Sequence, residues 1–167
     1  YMYPYYRKDI DSGRLTREQA QELMDCVWVK LNDLNKCRDA VSAEGFAGYS
    51  LFQNLIAGGQ TGEGLDATND LSFMSITATE HVFLPQPSFS VRIWNGTPHE
   101  FMIRAAELTR TGIGFPAYYN DEVIIPALLS RGLTIEDARD YNIIGCVEPQ
   151  KAAKTDGWHD AAFFNMC

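Results

Sequence analysis

The sequence predicts an α/β fold with strands inside and helices outside, and three observations carry that expectation. From Leu71 to Cys146, helical and strand patterns alternate. Most of the helical patterns carry a recognisable start or stop signal. The 167 residues are 46% hydrophobic and 22% charged, the balance of a globular chain able to bury a core.

Tyr1 to Arg14 is aromatic, then charged, and closes at Ser12-Gly13, which reads as a connecting segment. Thr16 is a helix cap with Gln19 as its capping-box partner. Behind it Leu23, Val27, Leu31, Leu34 and Val41 keep helical spacing to about Ala43. Cys26 and Cys37 fall near one side of that helix and read as small core hydrophobes. An apolar stretch from Gly45 to Ala57 includes Phe52 and leads into the glycine-rich loop Gly58 to Gly64. No Gly-Lys-Ser/Thr follows, so the loop reads as a mobile turn with positive φ angles rather than a phosphate cradle. Asp66, Asn69 and Asp70 lack the remaining ligands of a calcium loop. Asn69 is instead the cap of a helix running to about His81.

Leu84-Pro85-Gln86-Pro87 breaks that helix. Phe89, Val91 and Ile93 then alternate with Ser88, Ser90, Arg92 and Trp94 as a strand does. Thr97-Pro98-His99-Glu100, with Thr97 as cap, Pro98 at the first helical position and Glu100 at the third, opens a helix that runs to about Thr111 and stops at Gly112. Phe115 to Tyr119 is a short strand, and Asn120-Asp121 starts a helix ending near Gly132. Thr134 with Asp137 caps a short helix, and Tyr141 to Gly145 is the last strand. His81 and His99 sit on helices and carry no assigned chemistry.

The formal charge of −8 argues against a nucleic-acid surface, and no apolar run approaches membrane-spanning length. Four irregularly spaced cysteines form neither a disulfide framework nor a CxxC metal site, which points to a reducing, cytoplasmic setting. The chain opens at Tyr1 and stops at Cys167 within an apparent first helical turn, so a fragment of a longer protein is expected.

Chemistry is concentrated in Gly145-Cys146-Val147-Glu148-Pro149-Gln150. A thiol and a carboxylate emerge there from the end of a buried strand, where α/β architectures gather function. In an extended chain Cys146 and Glu148 share one face, roughly 6.5–7 Å apart, and Pro149 keeps Glu148 extended. Three chemistries compete. Cys146 as a nucleophile with His159 as base is disfavoured by the nearby carboxylate, which raises a thiol pKa. A metal site from Cys146, Glu148, His159 and Asp160 has tolerable ligand types but loose spacing. In radical chemistry the thiol stays neutral until it loses a hydrogen atom, and the carboxylate serves as a base towards substrate.

Gly145-Cys146-Val147-Glu148-Pro149 resembles the cysteine loop of the glycyl radical enzymes (the pyruvate formate-lyase-like family), in the branch that performs eliminations. Asp66 to Leu71, Leu84 to Ser88, Val91 to Trp94, Tyr119 to Glu122 and Ala138 to Tyr141 are similar to stretches of these enzymes in the same order. The resemblance covers essentially the whole chain. It implies that residues 1–167 are one piece of a single large catalytic domain, a ten-stranded α/β barrel with the cysteine loop inside. A glycine loop near the C-terminus of the family, absent from this piece, would store the radical. An S-adenosylmethionine-dependent iron–sulfur activase would install it anaerobically, so this piece alone is expected to be inactive.

The resemblance further implies that Cys146 becomes the thiyl radical and Glu148 acts as general base. Trp158-His159-Asp160 looks like the group that dehydrates glycerol or propane-1,2-diol, with Asp160 holding substrate hydroxyls and His159 orienting Asp160. Choline-cleaving members carry hydroxyl side chains where His159 and Phe163 stand, which counts against choline; isethionate cleavage stays open. Phe52 matches an aromatic pocket position where the diol dehydratases carry Tyr, a departure that leaves the diol undetermined. The implied partners are a small-molecule substrate, the activase and a second copy in a homodimer. The implied setting is the cytoplasm, including a bacterial microcompartment. The alternative from another class is a non-catalytic or metal-binding α/β protein.

Overall fold

The computed structural model describes residues 1–34, 39–46, 53–145 and 147–155. In chain order they form α1 (Tyr3–Asp11), α2 (Arg17–Asp33), α3 (Ala40–Phe46), β1 (Asn54–Gly58), α4 (Asp70–Val82), β2 (Ser88–Ile93) and α5 (His99–Arg110). β3 (Ala117–Asn120), α6 (Asp121–Ser130), α7 (Ile135–Arg139), β4 (Asn142–Ile144) and β5 (Glu148–Gln150) follow. The α/β class expected from the sequence is what the chain adopts.

β1, β2 and β3 make a parallel sheet in that order, with Leu55 opposite Phe89 and Arg92 opposite Tyr119. Alternation along β2 sends Phe89, Val91 and Ile93 to one face, where they pack with Met24, Trp28, Ile76, Phe101 and Leu108. The opposite face meets a second core of Ile125, Leu128, Ala138, Tyr141 and Ile143, joined by Ile56 and Tyr119. Ser90 and Arg92 are therefore as buried as their apolar neighbours, at 0% and 5% exposure. The alternation in β2 marks two interior faces, not an interior and a solvent face.

Local signals explain most boundaries. Thr16 and Gln19 form the reciprocal capping box, with Gln19 Oε1 accepting from Thr16 N at 2.9 Å. Asn69 caps α4 by accepting from Leu71 N, and Asn120 and Thr134 cap α6 and α7 in the same way. The expected positive φ values occur at Gly58, Gly59 and Gly64. That loop is closed by its own hydrogen bonds, Thr61 N to Leu65 O and Ala67 N to Gly59 O.

Five expectations are corrected. Residues 3–11 form α1, started by Pro4 in the first turn, where a missing N–H costs nothing. The long helix ends at Asp33, because Leu34 is extended with ψ 108°. Its buried stripe is Ala20, Met24 and Trp28, with Leu23 and Val27 exposed. Trp28 decides that rotation: its ring packs on Phe89 and its Nε1 donates to Thr79 Oγ1 at 3.0 Å. Cys26 is consequently exposed and not a core residue, while Cys37 lies outside the described residues. Finally, Thr97 does not cap α5; its Oγ1 accepts from Trp94 N, and the helix starts at His99.

Candidate active site

The sequence expects a strand running into a loop at Gly145, and the structure turns that segment into a hairpin. β4 and β5 are antiparallel, with Asn142 opposite Gln150 and Ile144 opposite Glu148. Gly145 supplies the turn with φ +60°, which a side chain would resist. Opposed residues share a face. Ile143 and Pro149 thus turn one way, with Ile143 buried in the second core. Asn142, Ile144, Glu148 and Gln150 turn the other.

Glu148 stands in extended backbone before Pro149, as the sequence predicts. Its half-buried carboxylate folds back over the turn, where Oε2 accepts the Val147 N–H at 3.0 Å. On the same face, Asn142 Oδ1 and Gln150 Nε2 are buried without a hydrogen-bond partner among the described residues. Cys146, Phe52, His159 and Asp160, the other expected site residues, lie outside the described residues. The structure accordingly places Glu148 and the frame of the hairpin.

What holds that frame is a set of side chains whose role was not apparent from the sequence. Arg92 on β2 donates from Nε and Nη2 to the two oxygens of Asp121 at 2.9 and 2.8 Å. Nη1 also donates to the carbonyl of Tyr141 (3.2 Å) and Nη2 to that of Arg139 (2.7 Å). The guanidinium also lies 3.9 Å from the centre of the Tyr141 ring, and Tyr141 OH donates to Asp121 Oδ1 at 2.8 Å. Burial drives the Tyr141 hydroxyl pKa far upward; Arg92 opposes the shift and Asp121 adds to it. The clue in the sequence was a charge at an inward position of a strand bounded by helices. Three of the stretches that carry the family resemblance, around Arg92, Asp121 and Tyr141, meet in this one cluster.

Beyond β5, Lys151 bonds Asp140, and Lys154 reaches both oxygens of Asp137 at 2.9 and 2.7 Å. The Lys154 bond holds the Asp137 carboxyl below its usual range. The C-terminal end of the hairpin is thereby tied to α7 and its exit. A cavity of about 730 Å³ runs along β1 and is bordered by Ile56, Gly58, Arg92, Tyr141, Asn142 and Lys151. It reaches the hairpin at Asn142, one face-sharing step from Ile144.

This frame, a parallel sheet backing a Glu-bearing hairpin, is that of a known class. The model of the pyruvate formate lyase-like family matches residues 1–167, and the chain belongs to that family. The structure of 1,2-propanediol dehydration in Roseburia inulinivorans superimposes with a TM-score of 0.90 and 77% identity, over 99% of this chain and 21% of that one. The glycerol-bound B12-independent glycerol dehydratase from Clostridium butyricum gives a TM-score of 0.87 and 67% identity, over 95% and 20%. The (2S)-3-sulfopropanediol dehydratase of Klebsiella oxytoca is 39% identical over 170 residues, covering 99% of this chain and 20% of the relative. The chain therefore spans about a fifth of the length of the proteins it matches. Its structural neighbours are glycyl radical enzyme barrels, as the resemblance implied.

Proposed function

We infer that the chain is the cysteine-loop portion of a glycyl radical lyase that dehydrates a small 1,2-diol, propane-1,2-diol or glycerol, to an aldehyde. One observation carries this reading: a fold and sequence 77% identical to the Roseburia protein of propanediol dehydration run through the Glu148 hairpin. In this reading residues 1–167 are part of a single large catalytic domain.

The roles follow from the side chains. Cys146, having given up its hydrogen atom, takes one from the terminal hydroxyl-bearing carbon of the substrate, the carbon that becomes the aldehyde, re-forming S–H and leaving a carbon radical. Glu148, extended at the turn and half-buried, accepts the proton of the hydroxyl on that carbon. The resulting ketyl-type radical expels the neighbouring hydroxyl, which leaves as water with that proton. Cys146 then returns its hydrogen atom to the product radical, which closes the cycle with no net oxidation. Asp160 holds the substrate hydroxyls, His159 orients Asp160, and Phe52 lines the pocket. The stored radical resides on a glycine elsewhere in the full-length protein, where a radical S-adenosylmethionine activase installs it. The full-length protein acts as a homodimer in the cytoplasm or a bacterial microcompartment.

The test uses full-length protein activated without oxygen and offered propane-1,2-diol, glycerol, choline and isethionate in parallel. An aldehyde from a diol is expected; sulfite or trimethylamine as the main product would reassign the leaving group. Cys146→Ser should keep the glycyl radical signal in electron paramagnetic resonance and lose turnover. Wild-type turnover in that variant would end the assignment.

A further inference from the structure

We propose that Arg92, Asp121 and Tyr141 are positioning residues for the elimination, a clamp that sets the direction in which the β4–β5 hairpin delivers Cys146 and Glu148. The proposal rests on the function inferred above for that hairpin.

The geometry that points there is the convergence on one residue. Tyr141 directly precedes β4 and is held in three ways: its carbonyl accepts from Arg92, its ring lies against the guanidinium, and its hydroxyl donates to Asp121. A bond to a carbonyl alone would leave the residue free to rotate. Contacts to carbonyl, ring face and hydroxyl together fix both its place and its orientation. The clamp also joins separate parts of the fold, since Arg92 belongs to the middle strand of the parallel sheet and Asp121 opens α6. Arg139 O, at the end of α7, accepts a second bond from Nη2.

Stability is a poor explanation for such a unit. A desolvated ion pair usually contributes little more than a well-packed apolar replacement. Here both side chains are essentially excluded from solvent, at 6% and 0% exposure. What this arrangement supplies is direction. Tyr141 to Gly145 spans about 13 Å of extended chain, so a rotation of about 5° at the clamp moves the turn by about 1 Å. Errors of that size cost on the order of 100-fold where reacting atoms must meet in a defined geometry. The anchors on the far side, Lys151 to Asp140 and Lys154 to Asp137, have a solvent-exposed partner in each pair and hold less firmly.

The experiment compares wild type, Tyr141→Phe and Asp121→Asn in activated full-length protein. The readouts are glycyl radical yield, kcat and KM for propane-1,2-diol, the isotope effect of deuterium at C1, the carbon that becomes the aldehyde, and amide hydrogen exchange. The expected result is an unchanged radical yield and a KM within about twofold. kcat falls about 3- to 10-fold in Tyr141→Phe and about 100-fold in Asp121→Asn, scaled to the cost of misplacement. The isotope effect rises, because a misaimed thiol makes hydrogen transfer more rate-limiting, and exchange quickens over 142–150 but not over 99–110. Unchanged kcat and isotope effect, or exchange that quickens equally everywhere, would overturn the clamp. If wild type does not turn over a diol, the functional reading falls by itself, and hydrogen exchange still judges the clamp. If Asp121→Asn does not fold, Tyr141→Phe decides, since it removes one hydroxyl and leaves the ion pair intact.

Discussion

Glu148 stands directly across from Ile144 in the antiparallel pair, and its carboxylate lies over the intervening Gly145. A methyl group built on Gly145 would come 2.6 Å from Glu148 Oε2 and 3.2 Å from Cδ. Gly145→Ala therefore displaces the base as well as straining a residue at φ +60°. The backbone strain should cost about 1–2 kcal/mol. The larger effect should be on turnover, because the carboxylate can swing away while the hairpin survives. Assays of activated full-length protein should show a reduced kcat with an intact glycyl radical signal. An unchanged kcat would mean that the base does not act from its observed position.

Gly59 faces a stiffer neighbour. Its φ is +81°, and a methyl there would lie 2.5 Å from Arg92 Nε and 2.7 Å from Cζ. Arg92 cannot retreat, because its bonds to Asp121, Tyr141 and Arg139 hold it in place. Gly59→Ala should destabilise by roughly 2–4 kcal/mol, combining backbone strain with overpacking. Gly62, with nothing within 4 Å, is the control, and Gly62→Ala should cost less than about 1 kcal/mol. Apparent melting temperatures of the two full-length variants measure the contrast.

Capping residues made much of this fold legible in the sequence. Thr16 with Gln19, Asn69, Asn120 and Thr134 all act locally, so a short window contains the whole interaction. The rotation of α2 was not legible, since Leu23–Val27 and Met24–Trp28 both keep helical spacing. Only the contacts of Trp28 with Phe89 and Thr79, more than 50 residues away in sequence, select between them. The hairpin had the same difficulty, as β5 is three residues long and its pairing with β4 is a tertiary fact. Glu148 could be named from its neighbours in sequence. The Arg92–Asp121–Tyr141 cluster could not, because it joins residues 29 and 49 positions apart.

The buried Tyr141 hydroxyl gives a pH dependence of definite sign. Burial raises its pKa, so the folded chain keeps the proton where an unfolded tyrosine, near pH 10, releases it. Above about pH 10 the unfolded state binds fewer protons, and stability falls as pH rises, by up to about 1.4 kcal/mol per pH unit for this group. Below that pH the contribution is fully present. Tyr141→Phe should flatten this alkaline decline relative to wild type. Urea titrations between pH 9 and pH 11 measure it, and parallel slopes in the two proteins would contradict it.

Glu148→Gln separates the chemistry of the base from its place in the hairpin. The amide keeps the volume of the carboxylate and retains an oxygen to accept the Val147 N–H. The turn should therefore persist, and with it the aim of Cys146. What the amide lacks is the ability to take a proton from the substrate hydroxyl. Hydrogen-atom abstraction should still be possible, but the radical formed would not readily lose that proton, and expulsion of the neighbouring group should stall. The expected loss in kcat is about 10²–10⁴-fold, the usual contribution of a positioned base. The glycyl radical signal should match wild type, as should hydrogen exchange over residues 142–150. A rate equal to wild type would remove Glu148 from the mechanism, whereas lost exchange protection would trace the defect to the hairpin instead of the base.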